Sequence, residues 1–302
     1  MHATAARSRL LRRAAGERVA FSTLSRTPVA RSAALCISAT KPMARCVHAL
    51  GPVRSANHAL YSTPQPAIPW ERLGLRVLAE TRVAGGSIGG DFYAFALRTP
   101  RRLAVVIGDA CGRGPAGARL LPAVLPRVHE LLRAETPPGR LLTEVNHSVA
   151  GAVPVDRFVT AAAFELDTRA GVLTASSAGH VPALIRRARG GTTVIGRASG
   201  PPLGLVSDPS YVDEYHHLAK GDVVVFMTDG VLEAVETDLL TMPVLRKLFA
   251  SAPAGGAALH RALVKHLDGC SAERRTDDMT LVSLEVVADL CSPKFAVPLQ
   301  AI

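Results

Sequence analysis

The chain has 302 residues, 48% of them hydrophobic and 4% aromatic, with a formal net charge of +10; this is enough apolar material for one large domain or two ordinary ones. The charge is lopsided: residues 1–70 hold ten Lys or Arg against one acid, Glu17, and the rest carries 25 basic and 24 acidic residues. A near-neutral main body argues against a basic nucleic-acid groove, and no apolar run reaches the roughly 18 residues that a membrane-spanning helix needs.

Five cysteines (Cys36, Cys46, Cys111, Cys270, Cys291) are an odd number without metal-type spacing. They fit free thiols in a reducing compartment and hence a cytoplasmic protein. Residues 1–70 are rich in Ala, Arg and Ser and lack a sustained period, so a basic arm without regular structure is expected. Its composition resembles an organellar transit peptide; a regulatory tail and a mis-assigned start are the alternatives. Pro64, Pro66 and Pro69 read as a linker.

From Trp70 the pattern changes. Leu73–Ala79 reads as a strand, followed by a glycine-rich loop to Gly90. Phe92–Leu97 and Leu103–Ile107 read as two strands joined by the polar turn Thr99–Arg102. So short a connection makes the pair antiparallel. Asp91, just before the first strand, and Asp109, just after the second, therefore meet at one sheet edge. Flanking glycines leave the backbone open to a ligand. Two adjacent carboxylates repel unless something positive sits between them, which points to a divalent cation.

Residues 115–134 look helical with Pro115 in the first turn, but Pro122 and Pro126 are interior and predict a kink or a split. A second helix is expected over 138–150. Four β-like runs follow at 158–166, 172–177, 182–187 and 192–195, read as one antiparallel meander. Asp222–Thr228 is a buried strand ending at Asp229-Gly230, helical segments fill 231–268, and Asp277-Asp278 precede a last strand, Met279–Val287. The fold class is α+β, with mainly antiparallel sheets and helices packed outside them, over a domain of residues 71–288; residues 289–302 read as a tail.

Asp91, Asp109, Asp229 and Asp277 or Asp278 thus all fall at strand ends. If the strand of Asp229 pairs with the last strand, both acidic pairs can face the same end. Oxygen donors of this kind suit Mg²⁺ or Mn²⁺, and no His or Cys cluster favours zinc. Two such ions bridged by a carboxylate lower the pKa of a shared water and neutralise phosphoryl charge, a known route to phosphate ester cleavage.

Seven stretches in order carry a specific resemblance: GGDFY at 89–93, GDACGRG at 108–114, FVTAAAFELD at 158–167, SAGHVPAL at 177–184, PPLGL at 201–205, KGDVVVFMTDGVLEA at 220–234 and DDMTLVSLEV at 277–286. Together they resemble the PPM (PP2C-like) serine/threonine phosphatases, in particular the SpoIIE/RsbU branch. The resemblance implies a β-sandwich between two helical layers, dependence on two Mn²⁺ or Mg²⁺ ions, and hydrolysis of phosphoserine or phosphothreonine on a partner protein. In that branch the partner is typically an anti-sigma-factor antagonist with a STAS fold. Carried over, Asp91 bridges the two ions and, with Asp229, is the catalytic pair. Asp229 and Asp277 hold one ion, Asp109 serves the other with the Ala110 carbonyl nearby, and Asp278 stands behind the ligands.

There are departures. Larger PP2C enzymes place a His after the bridging Asp-Gly, where this chain has Phe92-Tyr93. The helix after GDACGRG, a regulatory switch in the branch, carries two prolines here. The segment after Asp229-Gly230 lacks the usual Asn and Gly-rich insertion. A phosphatase-like binding module of weak or no activity is therefore the alternative reading. A dinucleotide site at Gly112-Arg113-Gly114-Pro115-Ala116-Gly117 fails for want of a parallel strand ending in an acid roughly 20 residues on. His180 reads as a hydrogen-bonded structural residue rather than a substrate contact. Cys111 has no paired His nearby in sequence to make it a nucleophile.

Overall fold

Alternation along one hairpin decides the architecture. In β3 (Asp91–Thr99) and β4 (Arg102–Ala110), Tyr93, Phe95, Leu103, Val105 and Ile107 enter one apolar cluster. Phe92, Ala94, Ala96, Ala104 and Val106, pointing the other way, enter a second. A strand buried on both faces needs a layer on each side. The computed structural model, which describes residues 48–49, 68–84, 88–154, 156–197, 200–236, 242–270 and 277–290, supplies a second sheet on one side and helices on the other.

The first sheet runs β3-β4-β5-β6-β9, with β5 at Val159–Asp167, β6 at Val172–Ala178 and β9 at Glu214–His217. The second runs β1-β2-β11-β10-β7-β8: β1 is His48–Ala49, β2 Leu75–Arg82, β7 Ala183–Arg186, β8 Thr192–Ile195, β10 Val223–Met227 and β11 Met279–Val286. Every strand pairing is antiparallel. Phe164 and Phe226 meet edge-to-face across the two sheets with ring centroids 4.7 Å apart. The apolar cluster between the sheets takes side chains from both.

Helices α1 (Pro115–Ala118), α2 (Leu121–Arg133) and α3 (Pro138–Val149) follow the first hairpin, and α2 and α3 cover the outer face of the first sheet. Leu121, Val124, Leu125, Val128 and Leu132 of α2 recur at the spacing of one helix face. Helices α4 (Asp229–Val235), α5 (Pro243–Ser251) and α6 (Gly256–Gly269) cover the second sheet. This is the α+β sandwich between helical layers expected above. Among the described residues no helix is long and apolar enough to cross a membrane.

The split expected over 115–134 is present, with α1 and α2 separated at Arg119-Leu120. Three expectations need correction. Pro122 is not interior but lands in the first turn of α2, where its missing N–H is no loss; Pro126 stays inside. The four runs from 158 to 195 are two hairpins, one in each sheet, because Gly179-His180 carries the chain across the sandwich instead of turning it back. Finally, β9, whose sequence is Glu-Tyr-His-His, was not expected at all. The basic arm before residue 68, apart from His48–Ala49, lies outside the described residues, as does the tail from residue 291.

Buried Arg98 near the end of β3 ties sheet to helices. It donates to the carbonyls of Leu131, Leu132 and Thr136 at 3.2, 2.9 and 2.7 Å, and pairs with Glu165 of β5 at 2.5 Å. The end of α2 thereby gains the cation that its exposed carbonyls favour.

Candidate metal centre

Asp91 and Asp109 are directly opposed in the β3–β4 register, each inside its strand end rather than beyond it. Both share the phase of the residues that face the second sheet, so period-2 alternation aims them into the space between the sheets. The second sheet contributes from the same end. β10 pairs with β11, Met227 opposite Leu281, and the next residue, Thr228, donates its N–H to Thr280 O at 3.0 Å. Asp229 then begins α4, and Asp277-Asp278 immediately precede β11. The hairpin argument therefore repeats, and the two acidic edges lie together.

A side-chain hydrogen bond joins the two sheets here. Thr228 Oγ1 donates to Asp91 Oδ2 at 2.8 Å, and Thr280 N donates to that same hydroxyl at 2.9 Å. Neither threonine was singled out from the sequence, although each shares the inward phase of its strand. Asp91 is buried, 1% exposed. Burial, then the negative charge of Asp229 and, less strongly, of Asp278, holds its carboxyl well above the usual carboxylate range.

Asp278 is engaged by backbone. Oδ1 accepts the Ala84 N–H at 2.8 Å, while Oδ2 accepts those of Gly90 at 2.8 Å and Gly114 at 3.3 Å. Three separate chain segments are thus fastened to one carboxylate, which suits a residue standing behind the ligands. Its own N–H donates to Asp277 Oδ1 at 3.0 Å. Gly230 packs against the same point: a β-carbon there would lie 2.0 Å from Asp278 O, so glycine is required.

The Ala110 carbonyl also lies at this edge. A β-carbon on Gly90 would come within 2.6 Å of Ala110 O, 3.1 Å of Asp109 Oδ1 and 3.3 Å of Gly112 O. One on Gly117 would meet Gly112 O at 2.4 Å and Ala110 O at 2.6 Å. Missing side chains thus let carboxylate and carbonyl oxygens crowd together. This all-oxygen donor set fits Mg²⁺ or Mn²⁺ in kind. Among the described residues, no three His, Cys, Asp or Glu side chains are closed around a single point.

His180 is buried beside the edge; its Nδ1 shares a 2.9 Å hydrogen bond with Thr160 Oγ1, and Thr160 is the register partner of Asp109. Burial pulls its pKa down to about 4, so it is neutral at pH 7. Phe92 packs toward the helices and Tyr93 toward the core, so neither supplies an acid in place of the missing His. Cys111 is a half-buried free thiol.

The family model for Stage II sporulation protein E (SpoIIE) matches residues 99–287, more than half of the sequence. The chain belongs to the SpoIIE family. It is thus of the PPM phosphatase type, in the SpoIIE/RsbU branch. Phosphoserine phosphatase RsbU of Bacillus subtilis is 29% identical over 186 residues, 58% of this chain and 55% of RsbU. The RsbU and RsbW domains of Rv1364c from Mycobacterium tuberculosis superpose with a TM-score of 0.60 at 25% identity, over 71% of this chain and 62% of that one. The structure of the PP2C phosphatase domain and a regulatory-domain fragment of SpoIIE from Bacillus subtilis gives 0.59 at 19% identity, over 70% and 63%. The SpoIIE-family chain spans about half the length of RsbU.

Proposed function

We propose that this SpoIIE-family chain is a metal-dependent protein serine/threonine phosphatase that removes phosphate from phosphoserine or phosphothreonine on a partner protein, in keeping with a cytoplasmic location. The observation that carries this reading is the convergence of acidic residues from both sheets on one end of the sandwich. Asp91, Asp229 and Asp277 would hold one ion, and Asp91 and Asp109, with the Ala110 carbonyl, the other. Bound Mn²⁺ or Mg²⁺ would lower the pKa of an attacking water and offset the charge on the phosphoryl oxygens. The chain's own part is to hold these carboxylates in place: Thr228 steers Asp91, and Asp278 fixes the loops that carry Gly90 and Gly114. With Phe92-Tyr93 after Asp91, the proton for the leaving serine oxygen comes from water.

The partner we infer is a phosphorylated STAS-domain anti-sigma-factor antagonist. The family membership and the likeness to a protein named phosphoserine phosphatase support it. The test is phosphate release from such a phosphoprotein with Mn²⁺, with Mg²⁺ and with chelator. Turnover that needs the ion and is lost in Asp91→Asn and Asp229→Asn bears the reading out. Turnover indifferent to both substitutions sinks the metal assignment, and none at all under any condition leaves a binding module.

A further inference from the structure

Two arginines stand at the acidic edge without a part in the chemistry above. Arg113 sits between Gly112 and Gly114; its side chain is 52% exposed and its Nε lies 3.7 Å from Asp277 Oδ2. Arg157 lies on the approach to β5, its side chain 39% exposed. Its Nη1 donates to Cys111 O at 3.3 Å, and its Nε is 3.7 Å from Asp156 Oδ2. The register places it there: Ala110 pairs with Val159, and Cys111 N donates to Phe158 O, so Arg157 is the next residue past the sheet edge. Gly112, at φ +120°, lets the guanidinium rest on the turn, because a β-carbon would sit 3.1 Å from Arg157 Nη1. Arg157 thus holds a guanidinium against the Cys111 carbonyl, while Arg113, two residues further on, holds one beside Asp277 at the end of the sandwich where the carboxylates gather.

Bound divalent ions would offset part of the carboxylate charge at that edge, and cations at the rim would add direct donors for a phosphomonoester dianion arriving there. Guanidinium presents a planar fork of donors matched to phosphate oxygens. The contact of Arg113 with Asp277 is long, and its arginine end is half-exposed while the carboxylate is buried, so the guanidinium can reach outward from it.

We propose that Arg113 and Arg157 form the clamp that seats the substrate's phosphoryl group at the carboxylate edge, Arg113 exchanging Asp277 for phosphate as substrate arrives. The proposal rests on the phosphatase reading and adds to it the residues that bind the anion.

The test uses the full chain with Arg113→Gln, Arg157→Gln and the double variant. Calorimetry measures Mn²⁺ affinity; in Mn²⁺-saturated protein, inorganic phosphate inhibition and the KM and kcat for a phosphoserine peptide are measured. Each single variant should raise KM and the phosphate inhibition constant about tenfold, with kcat held within about threefold. Arg113→Gln should also bind Mn²⁺ a few-fold more tightly, since it removes a cation beside Asp277. A double variant with KM and phosphate inhibition unchanged overturns the clamp. So does a fall in Mn²⁺ affinity parallel to the loss of phosphate, which marks a collapsed turn. Wild-type protein that neither binds Mn²⁺ nor turns over substrate defeats the phosphatase reading itself, and the clamp with it.

Discussion

Thr228 Oγ1 reaches across the sandwich to Asp91 Oδ2 at 2.8 Å while accepting the Thr280 N–H at 2.9 Å. One hydroxyl thus aligns the buried carboxylate of one sheet with the strand ends of the other. Thr228→Val keeps the shape and removes both bonds, stranding a buried N–H. We expect a loss of about 1–3 kcal/mol in urea unfolding, with Thr228→Ser restoring most of it.

Asp91 provides a pH test. Its folded pKa is raised above the ordinary 3.8, chiefly by burial and then by Asp229. The unfolded chain therefore ionises first, and the ion-free protein should lose stability as pH rises from near 4 through the folded value, then level off. Asp91→Asn removes this cost. In chelator at pH 7 the variant should melt higher than wild type, although its phosphatase rate falls by about a hundredfold or more. An unchanged or lower melting temperature in chelator contradicts the electrostatic account.

Two buried histidines act in the opposite sense. His180 and His260, the latter bonded through Nδ1 to Ser283 Oγ at 2.9 Å, are both brought down to about 4 by burial. A folded pKa below the unfolded value of about 6.5 means that the unfolded chain takes up protons first as pH falls. Stability should therefore drop between pH 6.5 and about 4, by at most something on the order of 3 kcal/mol for each group. Melting curves across this range should be flatter for His260→Gln than for wild type.

Arg98 is a structural test. Its side chain is 1% exposed and serves three carbonyls and Glu165. Arg98→Ala strands a half-buried carboxylate and the end of α2, for an expected loss of about 3–5 kcal/mol in denaturant unfolding. Exposed Arg102, 3.5 Å from Glu165, offers partial relief, so Arg98→Ala in an Arg102→Ala background should be worse than additive.

Much of the site was legible because its evidence is local. The polar turn near Arg101 forces the β3–β4 hairpin, and the hairpin alone places Asp91 against Asp109. The partner of the Asp229 strand was a conditional guess, since only long-range pairing could show β10 beside β11. Sheet membership is likewise non-local: nothing in Ala178-Gly179-His180 says whether the chain turns back or crosses over. β9 escaped notice because four polar residues on a sheet rim need no apolar alternation. Thr228 and Thr280 could have been found by extending the inward phase of Phe226 and Val282 one step. The expectation that Asp278 stands behind the ligands came with the family resemblance, but its partners could not be read from the sequence, because they are backbone N–H groups up to 194 residues away.

The position of β11 sets an order of events. It lies in the middle of its sheet, bonded on one side to β2 and on the other to β10, and Asp278 at its head fastens loops from residues 84, 90 and 114. On the ribosome, these earlier loops must wait for residues 277–286 to emerge before their anchor exists. The acidic edge is thus among the last features to form, and a nascent chain halted before that strand would lack both Asp277-Asp278 and the anchor for those loops.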